Sequence, residues 1–153
     1  MGYWLMKSEP DCYSIDDLRK TGGPAMWEGC RNFTVRNFFR DSMNKGDMAF
    51  FYHSSCTPPG IVGTMEIVSD PYPDPTQFDP KSDYYDPSSR QERPKWLLRD
   101  VEFRSKFDRM VSLDELRTIP GLEDMLVLRR GQRLSVMPVA ESEWKIVNSL
   151  KGI

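Results

Sequence analysis

The sequence predicts an α+β fold, a strongly curved sheet or partial barrel decorated by helices, and three observations predict it. Strand-like and helix-like segments alternate irregularly, hairpin-type connections join neighbouring strands, and the strand–helix–strand rhythm of a parallel sheet is missing. At 153 residues the chain is long enough for a proper core and of ordinary size for one domain, so a single domain over residues 1–153 is expected.

Gly2-Tyr-Trp-Leu-Met6 reads as the first strand. Pro10 ends it, because it biases Glu9 toward an extended conformation and has no N–H for a ladder; Lys7 and Ser8 then sit at the strand's end. Ser14-Ile-Asp-Asp17 has the spacing of a capping box, with Asp where Glu or Gln is usual, and opens a short helix that Thr21-Gly-Gly-Pro24 stops. Residues 25–32 are irregular. Asn32 is placed to cap an amphipathic helix over 33–43, where Val35, Phe38, Phe39 and Met43 form an apolar stripe opposite Arg36, Arg40 and Asp41.

The stretch from Asp47 to Gly63 reads as a long hairpin: an aromatic arm, Met48 to Tyr52, a polar Pro-containing loop, and a β-branched arm beginning at Ile61. Tyr52, His53 and Ser54 fall where strand meets loop, a place that favours a pocket, although Tyr52 and His53 read equally well as caps on the core. From Ser69 to Pro94 run six prolines and no periodicity. This segment is too long for an ordinary connection and, at Tyr84-Tyr85-Asp86, too aromatic for a linker, so it is expected to fold back over something. Trp96 to Phe107 reads as a strand, Ser112-Leu-Asp-Glu115 as a second capping box, Leu122 to Leu128 as another short helix, and Arg133 to Met137 as a last strand closed by Pro138. Trp144, Val147 and Leu150 give a terminal amphipathic helix.

Composition narrows the function. A net charge of −2 argues against a protein that grips long nucleic acid mainly through phosphates, so any such contact is local, at Arg31 with Arg36 and Arg40 or at Arg129, Arg130 and Arg133. Three cysteines without a CxxC pair and a single histidine predict neither a metal site nor a disulfide, and no cofactor is expected. No run has the length of a membrane span and the start lacks the features of a signal peptide, so no membrane association and a cytoplasmic location, or a nuclear one in a eukaryotic source, are expected. A monomer is expected.

P-loop, GxGxxG, GxSxG and HExxH signatures are all absent. Cys30 or Cys56 with His53 is the nucleophile pairing the spacing permits, but no oxyanion hole or orienting third group accompanies it. Trp27, Tyr52, Tyr84, Tyr85 and Trp96 fall at element ends or in loops. Each alone is more readily structural; together with nearby Ser, Asn, Asp and His they supply the faces and edge groups that a planar heterocycle needs. Trp27→Ala is accordingly expected to lower affinity for such a ligand while leaving the domain folded. The alternative is a hydrolase or other enzyme acting on a small nucleotide or base through His53 and Asp86.

Tyr3-Trp-Leu-Met-Lys-Ser-Glu-Pro10, Trp27-x-Gly-x-Arg-Asn32, Phe50-Phe-Tyr-His-Ser54, Pro59-Gly-Ile-Val-Gly63, Tyr72-Pro-Asp74, Tyr84-Tyr-Asp-Pro87 and Arg130-Gly-x-Arg-Leu-Ser-Val-x-Pro-Val139 resemble the EVE domain, including the thymocyte nuclear protein family, across nearly the whole chain. EVE domains are similar to PUA and YTH domains, so the resemblance implies a PUA-like, YTH-like pseudo β-barrel with flanking helices. It also implies a non-enzymatic reader of a modified base, of modified-cytosine or N6-methyladenine type, in DNA or RNA. Carried over by position, Lys7 and Ser8 face the base edge, Trp27 is a wall, and Asn32 is a polar group at a helix start. Tyr52, His53 and Ser54 are the hairpin's share of the pocket, Tyr84, Tyr85 and Asp86 belong to a covering loop, and Trp96 completes the aromatic wall. Arg130, Arg133 and Ser135, with Arg31, form a rim suited to phosphates. Cys30 stands where the family usually has Val, which implies a core position.

Overall fold

The computed structural model of the chain describes residues 2–131 and 133–150. Its centre is a curled six-stranded sheet, an open half-barrel, in the order β2 (Ala25–Met26), β7 (Asp100–Ser112), β4 (Gly60–Ile67), β3 (Met48–His53), β1 (Tyr3–Ser8), β8 (Val136–Val139). All neighbours are antiparallel except β1 and β3, and β5 (Tyr72–Pro73) pairs with β6 (Leu97–Leu98) in a separate ribbon. The helices are α1 (Ile15–Thr21), α2 (Phe33–Asn37), α3 (Leu113–Leu116) and α4 (Glu141–Leu150). The α+β class and the curled sheet are as the sequence predicts.

Both faces of the sheet are buried, which is why β1 and β3 lack a polar face. Trp4, Met6, Ala49 and Phe51 point into a cluster with Leu18, Val35 and Phe39, under α1 and α2. Leu5, Phe50 and Tyr52 point the other way, to Leu116, Leu122, Met137 and Val147, under α3 and α4. Gly60, and Gly63 at a β-bulge in β4, let β7 approach closely: a Cβ on Gly60 would lie 2.5 Å from the Val111 carbonyl, and one on Gly63 would meet the Ser105 carbonyl and Ile15.

Local signals hold well. Ser14 and Asp17 form the reciprocal capping box, and Ser112 accepts from the Glu115 N–H. The expected helix over 33–43 is different: α2 stops at Asn37 and continues as a π-helical turn, Phe38–Ser42. Carbonyls of this turn and its cap are taken from outside the helix, for buried Arg99 donates to the Phe39 and Met43 carbonyls at 2.8 and 2.6 Å and also to the Ser69 carbonyl at 3.1 Å. Pro138 lies inside β8 rather than after it, tolerated because β8 is an edge strand.

Candidate functional site

Because β1 and β3 run parallel, both deliver their C-terminal ends to one edge of the sheet, where the Ser54 N–H donates to the Ser8 carbonyl at 3.0 Å. A cleft of about 770 Å³ opens there. Lys7 and Ser8 form one side with Ser54 and Ser55; the segment Ala25 to Arg31 forms the opposite side, and Tyr84, Arg133 and Ser135 complete the mouth.

The wall from Trp27 to Arg31 is shaped by contacts distant in sequence. The Trp27 N–H donates to the Arg99 carbonyl, and the ring, 7% exposed, packs edge-on to Phe51 at 5.4 Å. Gly29 turns the chain at φ 90°, and Tyr84 lies so close that a Cβ there would meet its ring at 2.7 Å. Asp74, fully buried, accepts from the Gly29 N–H at 2.8 Å, from Arg31 at 3.1 Å, and from the Thr76 N–H and hydroxyl. Burial alone would raise its carboxyl, but these hydrogen bonds outweigh it and hold the group below the usual carboxylate range. The long loop thus folds back over the cleft wall, organised around buried Gln77, whose amide bonds Asp74, Ser89 and Trp96.

Of the residues nominated from sequence, the cleft brings together Lys7, Ser8, Trp27, Arg31, Ser54, Tyr84, Arg133 and Ser135. The others lie outside its lining. Asn32 spends its side-chain oxygen on the Val35 N–H as the cap of α2. Tyr52 is buried in the second core and meets the cleft through Lys7, whose Nζ is 5.7 Å from its ring centroid. His53 Nε2 accepts the Ile15 N–H at 3.1 Å and so anchors the start of α1. Asp86 accepts from the Ser88 hydroxyl and the Trp96 indole N–H, which push its carboxyl down to about 2, while Trp96 is buried against Phe33. Tyr85 and Arg130 are exposed away from the lining. Arg31 is no free rim cation: its five N–H groups go to Cys30, Asp74, Thr76 and, twice, the Tyr84 carbonyl, leaving none for a phosphate.

His53 and Asp86, the pair an enzyme would have used, are each engaged in holding the fold. Cys30 is equally unsuited to attack, since burial first of all pushes its thiol up to about 11. Burial also lowers the His53 pKa, so the imidazole is held neutral as an acceptor. The unfolded chain binds the proton more readily, so this contribution is intact above the ordinary value of about 6.5 and is lost as pH falls from there. His53→Gln, whose amide oxygen can accept the same N–H, is expected to flatten the pH dependence of urea midpoints between about pH 5 and 7; with no other histidine in the chain, an unchanged slope would contradict this assignment.

Sequence reasoning missed Glu28. It lines the cleft beside Trp27, and among the described residues its carboxylate has no hydrogen bond or ion pair. Partial burial, then the Asp74 charge, raise its pKa. Lys7 Nζ is likewise without a hydrogen-bonding partner there, and partial burial lowers its pKa. An unpaired acceptor and an unpaired donor thus share a cleft with the exposed Tyr84 ring. Among the described residues no group of His, Cys, Asp and Glu is placed to hold a metal, and no helix is long and apolar enough to cross a membrane.

The chain matches the EVE domain over residues 2–150. It is 43% identical to thymocyte nuclear protein 1 of Mus musculus over 167 residues, covering 97% of this chain and 73% of the relative. A crystal structure of a protein from Pseudomonas syringae superposes with a TM-score of 0.93 at 46% identity, covering 97% of this chain and 99% of that one. Human THYN1, solved in complex with 5-methylcytosine-containing DNA, superposes with a TM-score of 0.89 at 42% identity, covering 99% and 98%.

Proposed function

The chain belongs to the EVE domain family, and from that premise we propose that it is a non-enzymatic reader of modified cytosine in DNA, taking the base into the cleft between β1, β3 and the Trp27–Arg31 wall. The observation that carries this reading is the human relative's complex with 5-methylcytosine-containing DNA. The chemistry of this chain's own cleft supports it. Cytosine offers an amino donor beside two acceptors on its pairing edge, and the cleft offers the Glu28 carboxylate and the Lys7 ammonium without internal partners. Tyr84 gives a stacking face, and Ala25 and Met26 give apolar surface for a methyl group. The engagement of His53 and Asp86 in structural hydrogen bonds supports binding over turnover. A location alongside DNA, in the nucleus of a eukaryotic source, follows from the same reading.

Calorimetric titration with duplexes carrying 5-methylcytosine, 5-hydroxymethylcytosine, N6-methyladenine or no modification tests it. A preference for a cytosine mark is expected. Glu28→Ala should weaken that binding about tenfold, the lower end of what a good side-chain contact to a base edge contributes. Equal binding of all duplexes, or full affinity in Glu28→Ala, would count against the base-reading site.

A further inference from the structure

We propose that a second groove, formed by Arg36 on α2 and by Arg90, Arg93 and Lys95 of the long loop, binds the phosphates of the nucleic acid whose base enters the cleft. The inference rests on the reader function for its choice of ligand and on separate residues for its site.

The groove encloses about 660 Å³ and carries four cations against one carboxylate, Glu92, on a chain whose net charge is −2. Elsewhere in the protein Arg31, Arg40, Arg104, Lys106, Arg109 and Lys145 have carboxylate partners. Among the described residues none of the groove's four cations has one. Arg36 bonds Asn37 and the Lys95 carbonyl, Lys95 bonds the Ser88 hydroxyl, and the exposed Arg90 and Arg93 side chains make no hydrogen bond to any described residue. The nearby Asp86 carboxylate, hydrogen-bonded by Ser88 and Trp96, acts on Lys95 through its charge but makes no ion pair with it. Crowding four like charges is unfavourable unless an anion joins them, and planar guanidinium groups suit phosphate oxygens.

Geometry ties this groove to the cleft. A continuous stack runs between them: Tyr84 against Arg31 at 5.8 Å, Arg31 against Trp96 at 5.7 Å, Trp96 against Phe33 at 4.7 Å, and Phe33 against Arg36 at 4.7 Å. Phe33 is 53% exposed, so an aromatic surface sits beside the cations, the combination that favours nucleic acid over an acidic peptide. The loop is held in place by its own bonds, the Arg93 N–H donating to the Arg90 carbonyl at 2.9 Å and the Lys95 N–H to the Ser89 hydroxyl at 3.0 Å. Its two arginines are therefore presented by an ordered turn.

The test is the double variant Arg90→Gln, Arg93→Gln, with Lys145→Gln on α4 as the control for loss of charge alone. Binding of a 5-methylcytosine duplex and of an unmodified duplex of equal length is measured over a range of NaCl concentrations. The double variant should lose about tenfold or more in affinity for both duplexes, keep the ratio between them, and show a salt slope shallower by about 0.9 for each phosphate it no longer neutralises. Unchanged affinity and slope, or an equal effect from Lys145→Gln, would overturn the groove while leaving a preference for the methylated duplex intact. Loss of binding to both duplexes in the double variant, where wild type shows no preference for the mark, would retain the groove and overturn the base reading. No binding of either duplex by wild type overturns both.

Discussion

Asp74→Ala is expected to destabilise the domain by about 3–5 kcal/mol, the usual consequence of removing one partner of a buried charge pair. The carboxylate is fully buried and satisfies four donors, the Gly29 N–H, the Thr76 N–H and hydroxyl, and Arg31. Truncation takes that acceptor from all four. Arg31 would suffer least, because its side chain is 21% exposed and keeps the Tyr84 and Cys30 carbonyls, so the lower half of that range is the better expectation. The cleft should suffer most: Gly29 is its wall, and Arg31 grips the loop that carries Tyr84. Urea midpoints and titration with the 5-methylcytosine duplex at a temperature where the variant is folded should both show large losses. Asp74→Asn keeps the shape and one acceptor oxygen but sets an amide against the Gly29 N–H or Arg31, and should fall between. A variant within about 0.5 kcal/mol of the parent would mean that Asp74 is a surface-like residue despite its burial.

The uneven legibility of this chain has a physical cause. Caps and hairpins are written in a few adjacent residues, so Ser14, Asn32, Ser112 and the β3–β4 turn could be read directly. Strand facing could not. In β3 both faces are apolar, which hides the two-residue alternation that puts Phe51 against Trp27 and sends Tyr52 into the other core. The site's electrostatics were hidden for a different reason: Arg31 and Asp74 are 43 residues apart and share partners that only the folded loop supplies. From sequence Arg31 looked like a rim cation, and Asp74 stood out only as the end of the Tyr72-Pro-Asp74 motif. Glu28 gave no signal at all, since its place in the cleft depends on the left-handed turn at Gly29. The family motifs mark the strand ends and the Trp27–Arg31 segment that line the cleft, and they also carried over Asn32, Tyr52, His53, Asp86 and Arg130, which do not line it.

Trp27→Ala is expected to act on stability before it acts on binding, which reverses the expectation from sequence that the variant would stay folded and simply lose affinity. The ring is only 7% exposed and belongs to the core cluster with Phe51 and Val62, so truncation removes most of its apolar contact and leaves a cavity, at about 3–5 kcal/mol. What the cleft sees is a narrow strip of the ring. Stacking of a base on a fully presented aromatic contributes about 1–3 kcal/mol, and a strip should contribute near or below the lower end of that. The stability term therefore wins. Tyr84, 38% exposed in the cleft mouth, is the ring with a face to offer, and Tyr84→Ala should show the opposite balance, a small change in urea midpoint and the larger loss of 5-methylcytosine binding. Trp27→Phe separates the two roles of position 27, because it keeps an aromatic ring packed near Phe51 while shortening the strip that reaches the cleft. If Trp27→Ala unfolds with a parental midpoint yet binds more than tenfold more weakly, the ring swings out to meet the base and the packed orientation belongs to the unliganded protein alone.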